Sequence, residues 1–197
     1  MTRIIFATGN AHKMEEIREI LRDLPCELLS MKEAGIECDI VEDGQTFAEN
    51  AMIKAKAVCE ASGCVTLADD SGLCVDYLDG APGVWSARFA GEDSDDETNN
   101  QKLLRLMDGV PEEQRTARFV CVITLVYPDG TSVVARGECH GRILTVPQGE
   151  NGFGYDPLFV ADGMDKSFAE ISQGEKNRIS HRALALNKLD SILKGNR

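Results

Sequence analysis

The stretch Leu67-Ala68-Asp69-Asp70-Ser71-Gly72-Leu73 constrains this chain most. Val65 and Leu67 alternate into it like the end of a buried strand, and Gly72 reads as a sharp turn just after it. Two adjacent carboxylates at a strand end pack nothing, and their repulsion and desolvation cost stability. They make sense where a divalent cation neutralises them. The same seven residues also fit a solvated Asp-Asp turn, so the rest of the chain has to decide.

The 197 residues suffice for one domain with a real core, or two small lobes sharing a sheet, and no linker or internal repeat divides them. A single domain over residues 1–197 is expected. No apolar run approaches the ~20 residues of a membrane span, and the N-terminus enters a strand pattern at once, so a soluble cytoplasmic protein without a membrane partner is expected. The net charge of −12 argues against nucleic acid as a partner. A small polyphosphate remains open, provided that local cations and a metal meet it. The seven cysteines lack paired spacing and form no C-x-x-C, so they read as reduced, mostly core thiols.

Arg3–Ala7 reads as a buried first strand. It runs into Thr8-Gly9-Asn10-Ala11-His12-Lys13 and then a helix with Ile17, Ile20, Leu21 and Leu24 on one face, stopped by Pro25. A strand, a polar glycine loop and a helix N-terminus can hold an anion, although a plain strand–helix turn fits as well, and neither G-x-x-x-x-G-K-[ST] nor G-x-G-x-x-G is present. Cys26–Met31 reads as a second strand, followed by the acidic loop Glu37–Gly44. Thr46 and Glu49 form a capping box opening a helix to about Ser62, with Phe47, Ala51, Ala55, Val58 and Cys59 inward. Asn50 and Lys54 lie four apart on one face of it, as a ligand pair or an ordinary polar stripe. Val65–Ala68 and Leu73–Tyr77 read as two strands on either side of the acid pair.

The acidic run Glu92–Glu97 reads as a solvated turn before a helix at about Thr98–Met107. Arg118–Tyr127 and Ser132–Cys139 form an antiparallel hairpin around Pro128-Asp129-Gly130. Gly152-Phe153-Gly154-Tyr155-Asp156-Pro157 sets two aromatics between glycines, a stacking platform for a flat base or a tight turn with one ring buried, and Leu158–Val160 is a short strand. Lys176 follows, then Ser180-His181-Arg182, where Ser180 is placed to cap the last helix. An arginine in a first helical turn opposes the helix dipole, which hints at a task for Arg182.

In order and in register, Thr8-Gly9-Asn10-x-x-Lys13, Glu42, Asn50-Ala51-x-x-Lys54-Ala55, Ala68-Asp69-Asp70-Ser71-Gly72-Leu73, Ala81-Pro82-Gly83 with Ser86-Ala87-Arg88, Gly152–Pro157 and Ser180-His181-Arg182 resemble the ITP/dITP/XTP pyrophosphatases from first strand to last helix. Phe89 stands where many of that family have Tyr. The resemblance implies an α/β fold with an elongated, curved mixed β-sheet flanked by helices, two lobes around a central substrate cleft, and a homodimer. It implies Mg²⁺-dependent hydrolysis of ITP, dITP or XTP between the α and β phosphates, giving the monophosphate and pyrophosphate.

It also implies the roles. Thr8, Gly9, Asn10, Ala11, His12, Lys13, Asn50 and Lys54 would hold phosphates, and Glu42 and Asp70 would bind Mg²⁺. Asp70 would accept the proton of the attacking water, Asp69 would support it, and Ser71 would contact substrate. Phe153 would stack on the purine, with Gly154, Tyr155, Asp156, Lys176, His181 and Arg182 around it. A cationic donor satisfies the C6 keto oxygen of hypoxanthine or xanthine, whereas adenine would set donor against donor. The alternatives are a non-catalytic nucleotide binder on the same scaffold and a pyrophosphatase for modified pyrimidines.

Overall fold

The computed structural model describes residues 2–22 and 26–195; the expected helix stop at Leu24 and Pro25 lies outside them. Six strands form one mixed sheet in the order β2-β1-β3-β4-β5-β6. They are β1 (Thr2–Phe6), β2 (Cys26–Ser30), β3 (Val65–Val75), β4 (Thr116–Val126), β5 (Ser132–Ile143) and β6 (Phe159–Ala161). The helices are α1 (Ala11–Leu21), α2 (Phe47–Ser62), α3 (Asp96–Leu106), α4 (Gln173–Ile179) and α5 (His181–Gly195). β1 pairs in parallel with β2 and β3, whereas β5 and β6 are antiparallel. β4 and β5 are neighbours in the sheet joined by residues 127–131, a connection too short for parallel strands, so the expected hairpin follows the crossovers. None of the helices described is long and apolar enough to cross a membrane.

The chain divides into two compact units. The first comprises the chain up to Asp70, Cys121–Gly137 and the chain from Arg182; the second comprises Ser71–Val120 and Glu138–His181. In the first unit both sheet faces are covered, as parallel strands require. Phe6 and Leu67 pack with Met14 and Ile17 of α1 and Ala185, Leu186 and Leu189 of α5. Their chain neighbours Ile5, Ala7 and Ala68 pack with Ala55, Val58 and Cys59 of α2. In the second unit Leu73 and Val75 join Leu103 and Met107 of α3, Phe119, Phe159 and Phe168.

Two elements differ from the sequence reading. β3 is continuous from Val65 to Val75, so Gly72 makes no turn. Its glycine is required by close approach instead: a Cβ there would stand 2.4 Å from both the Gly83 carbonyl oxygen and Ser86 Oγ. Ser86 accepts from the Leu73 N–H at 2.9 Å and donates to the Gly83 carbonyl at 2.6 Å, which ties a 3-10 turn over Gly83–Arg88 to the strand. Lys176 lies within α4, a helix the sequence reading does not include. Ser180 closes α4, its N–H donating to the Lys176 carbonyl at 2.8 Å, and stands directly before α5.

Candidate active site

Successive residues of a strand face opposite sides of its sheet, and this separates the two acids. Asp69 follows Leu67 onto the face covered by α1 and α5, and Asp70 follows Ala68 onto the face covered by α2. Asp69 is 1% exposed and takes Lys13 Nζ of α1 at 3.2 and 3.1 Å and Arg182 Nη2 of α5 at 3.3 Å. Asp70 is 9% exposed and takes Lys54 Nζ at 3.2 Å and Asn50 Nδ2 at 3.3 Å, both from α2. Neither acid is a solvated turn residue.

The cations are placed by ordinary helix chemistry. The Thr46–Glu49 capping box starts α2, and Gly63 ends it in a left-handed conformation whose N–H donates to the Cys59 carbonyl. Asn50 and Lys54 thus occupy successive turns facing Asp70. Asn50 Oδ1 accepts from the Gly44 N–H at 2.9 Å, anchoring the acidic loop, and a Cβ on Gly44 would meet that oxygen at 2.6 Å. The anchored loop brings Glu42 Oε2 to 2.7 Å from Lys54 Nζ. Burial pulls the Lys54 ammonium down, but Asp70, Asp69 and Glu42 outweigh it and hold its pKa above the ordinary lysine value. Burial pushes the Asp70 carboxyl up despite Lys54 and Lys13.

In the Thr8–Lys13 loop Asn10 caps α1, its Oδ1 accepting from the Lys13 N–H at 3.1 Å, and Thr8 Oγ1 accepts from the Asn10 N–H at 3.1 Å. Gly9, Asn10, Ala11 and His12 are exposed, and the space where a Cβ of Gly9 would lie is open. A helix start with its dipole faces outward here, while the Lys13 side chain turns in to Asp69.

Arg182 is 1% exposed and pairs with Asp69 and with Glu16 of α1. Burial disfavours its charge, but Asp69 and Glu16 hold the guanidinium well above the ordinary arginine range. The structure therefore groups Arg182 with Asp69 and Lys13. Glu16 is absent from the sequence reading. It is 3% exposed, and no local signal marks it, since Arg18 also adjoins Ile17 and is exposed.

Glu42 and Asp70 fit a hard cation. Two carboxylates from separate segments reach one position, filled by the Lys54 ammonium. One or two carboxylates plus substrate oxygens and water form the donor set that Mg²⁺ uses. Among the described residues no group of three or more His, Cys, Asp or Glu side chains is placed to hold a metal.

The second unit carries the aromatic set. Asp156 Oδ2 accepts from the Phe153 N–H at 3.0 Å and from Lys176 Nζ at 2.7 Å, and Lys176 Nζ lies 4.8 Å from the Phe153 ring centre. A Cβ on Gly152 would stand 2.1 Å from Asp156 Oδ2, which explains the glycine. Tyr155 is buried and donates its hydroxyl to the Ser86 carbonyl at 2.8 Å, and burial raises its pKa. Of the two aromatics, Phe153 is therefore the one whose ring is part-exposed. Gly154 and Ser71 are half-buried, and His181 stacks on Phe119 at 4.8 Å between ring centres.

Comparison with known proteins agrees over nearly the whole chain. A dITP/XTP pyrophosphatase of Clostridium perfringens is 49% identical over 99% of this chain and 98% of its own. That of Bacillus subtilis is 46% identical over 98% of both. The solved Ham1 protein of Staphylococcus aureus superposes with a TM-score of 0.88 at 40% identity, covering 100% of both chains. The HAM1 protein of Coxiella burnetii gives 0.89 at 40% identity, over 99% of this chain and 100% of its own. The Ham1 family profile matches residues 4–192, and the chain belongs to the Ham1 family.

Proposed function

We propose that this chain hydrolyses non-standard purine nucleoside triphosphates (ITP, dITP and XTP) to the monophosphate and pyrophosphate, and so removes them from the nucleotide pool. The observation that carries the reading is the convergence of Glu42 and Asp70 on Lys54, in a chain whose near-full-length relatives bear the name of this activity. Phosphoryl transfer asks a protein mainly to position the polyphosphate and neutralise its charge. Lys13 and Lys54 supply cations, the Thr8–Lys13 loop supplies backbone N–H groups at a helix start, and Asn50 supplies an amide.

Asp70 accepts the proton of the attacking water on a carboxylate oxygen. Its burial makes that oxygen a stronger base, while Lys54 and Lys13 favour its ionised form. Glu42 and Asp70 hold Mg²⁺, which when bound neutralises charge on the phosphate oxygens. Asp69 takes no proton; it orients Lys13 and Arg182. In the second unit Phe153 stacks on the purine, with Asp156, Lys176 and His181 as its polar and aromatic company. Arg182 donates to the C6 keto oxygen, and its ion pairs fix where that donor points. The protein works in the cytoplasm as a homodimer.

The test is product analysis with dITP, XTP, ITP, dUTP and GTP in millimolar Mg²⁺. The expected result is pyrophosphate as first product from the three non-standard purines and little turnover of the other two. Orthophosphate alone, or preference for dUTP, overturns the reading.

A further inference from the structure

We propose that Asp96 and Asn100 of α3 are positioning residues for purine recognition, clamping the Gly154 peptide on both sides and thereby fixing the direction of the Phe153 ring. This inference rests on the reading of Phe153 as the stacking residue.

The Gly154 N–H donates to Asp96 Oδ2 at 2.6 Å, and the Gly154 carbonyl accepts from Asn100 Nδ2 at 2.9 Å. One residue thus has its donor and its acceptor held by a pair four apart on one helix face. The placement matters because Phe153 stands between two glycines, Gly152 at φ +76° and Gly154 at φ +63°. Glycine gives a loop its greatest torsional freedom, so an aromatic between two of them has no direction of its own. Asp156 fixes the Phe153 N–H on one side, and the α3 pair fixes the next peptide on the other.

The clamp is mounted on a rigid element. Asp95 caps α3 by accepting from the Thr98 N–H at 2.8 Å, and Leu103 and Met107 root the helix in the core of the second unit. Among the described residues Asn100 Oδ1 is buried without a hydrogen-bond partner, so the Gly154 carbonyl alone orients this amide. Asp96, Asn100, Phe153 and Gly154 also line one cavity of about 410 Å³, within the range of small-ligand pockets. The acidic run Glu92–Glu97 is therefore more than a solvated turn: Asp95 caps a helix and Asp96 holds a loop.

A ring oriented in advance loses less freedom on binding, so the clamp acts on substrate affinity more than on bond cleavage. Asp96→Ala and Asn100→Ala are each expected to raise KM for dITP and XTP about tenfold with kcat changed less than about twofold, near the worth of one hydrogen bond. Asp96→Asn keeps an acceptor oxygen and restores most of the loss. Asp93→Ala removes the same charge from the exposed turn before α3, away from the residues that line this cavity, and leaves KM unchanged. Hydrogen exchange of the segment 151–156 in the free protein supplies a readout independent of activity: it quickens in Asp96→Ala and not in Asp93→Ala. If Phe153→Ala leaves KM unchanged, the stacking reading fails. If Phe153→Ala raises KM while Asp96→Ala and Asn100→Ala match Asp93→Ala in KM and exchange, the clamp fails, and a loss confined to kcat overturns it equally.

Discussion

Asp69 and Asp70 share a peptide bond, yet their side chains enter different electrostatic settings. Asp69 is hemmed by Lys13 and Arg182, and Asp70 by Lys54 and Asn50. Removing one partner of a buried ion pair leaves the other charge uncompensated, at a cost of about 3 kcal/mol. Asp69→Asn strips the carboxylate shared by two cations and is expected to lower stability by about that much. Asp70→Asn leaves Lys54 its Glu42 partner and is expected to cost less, while turnover of dITP falls by about 10³ through loss of the base. Urea melts of the two variants beside their rates provide the check. Near-normal rate in Asp70→Asn would remove it from the proton-accepting role, and a larger stability loss in Asp70→Asn would reverse the assignment. The family resemblance ranks the acids unequally, as base and support, and the alternation of strand faces gives them different partners. Arg182 shows the limit of such reading. Its awkward place in a first helical turn is visible in the chain, whereas Glu16, which offsets that cost, comes from a helix 166 residues earlier in the chain.

At the scale of elements, Gly72 lets the Gly83–Arg88 turn pack closely on β3. With a Cβ 2.4 Å from Gly83 O and Ser86 Oγ, Gly72→Ala must push the Gly83–Arg88 turn away from the strand. A loss of about 2 kcal/mol, typical of overpacking, is expected in thermal or urea melts. An unchanged melting temperature would show that the turn yields freely. From sequence, a glycine after two acids reads as punctuation, because close packing by partners at Gly83 and Ser86 leaves no local signature. α4 is the opposite case. Its capping box of Ser172 and Glu175 was there to be read, but seven residues including Gly174 carry too little apolar periodicity to announce a helix. The ends of α1 and β2 are joined by Glu33, whose carboxylate accepts from Arg18 at 2.5 Å and from the Ser30 N–H and hydroxyl, both at 2.8 Å. The Arg18 hydrogen bond, then the Ser30 backbone and side chain, lower its pKa from the ordinary 4.5 to about 2. A carboxyl lowered on folding stabilises fully above its unfolded value and loses that contribution as pH falls toward the folded one. The stability difference between the parent and Glu33→Gln is therefore expected to persist at pH 7 and to shrink between about pH 4.5 and 2, followed by denaturant melts across that range. A difference that is constant with pH would show that the carboxylate charge contributes nothing there.

Over the whole molecule, the sequence reading of the cysteines is met by the structure: all seven are free thiols, and Cys59, Cys74, Cys121 and Cys139 are buried. Burial pushes the Cys121 thiol to about 12 and the Cys139 thiol to about 11. The thiolate is the reactive form, so a thiol reagent at pH 8 is expected to label at most Cys26, Cys38 and Cys64 quickly in the native protein, and all seven after unfolding. Rapid native labelling of Cys121 would contradict the packing of β4. The acid–cation cluster belongs to the first unit and the aromatic set to the second, each with its own core. Most strand segments and the helix faces are legible from the two periodicities in the chain, whereas the strand order is not. The pairing of individual charges is not, because it depends on residues that meet only when the fold closes.

The alternation of β3 also makes the site sensitive to parity. From Leu67 to Asp70, odd steps along the strand belong to α2 and even steps to α1 and α5. Loss or gain of one residue between Leu67 and Asp69 would exchange the two carboxylates between settings, setting Asp70 beside Arg182 and Asp69 beside Lys54, whereas a gain of two would preserve each acid's side. Length variation at this point is therefore expected to be tolerated, if at all, only in steps of two.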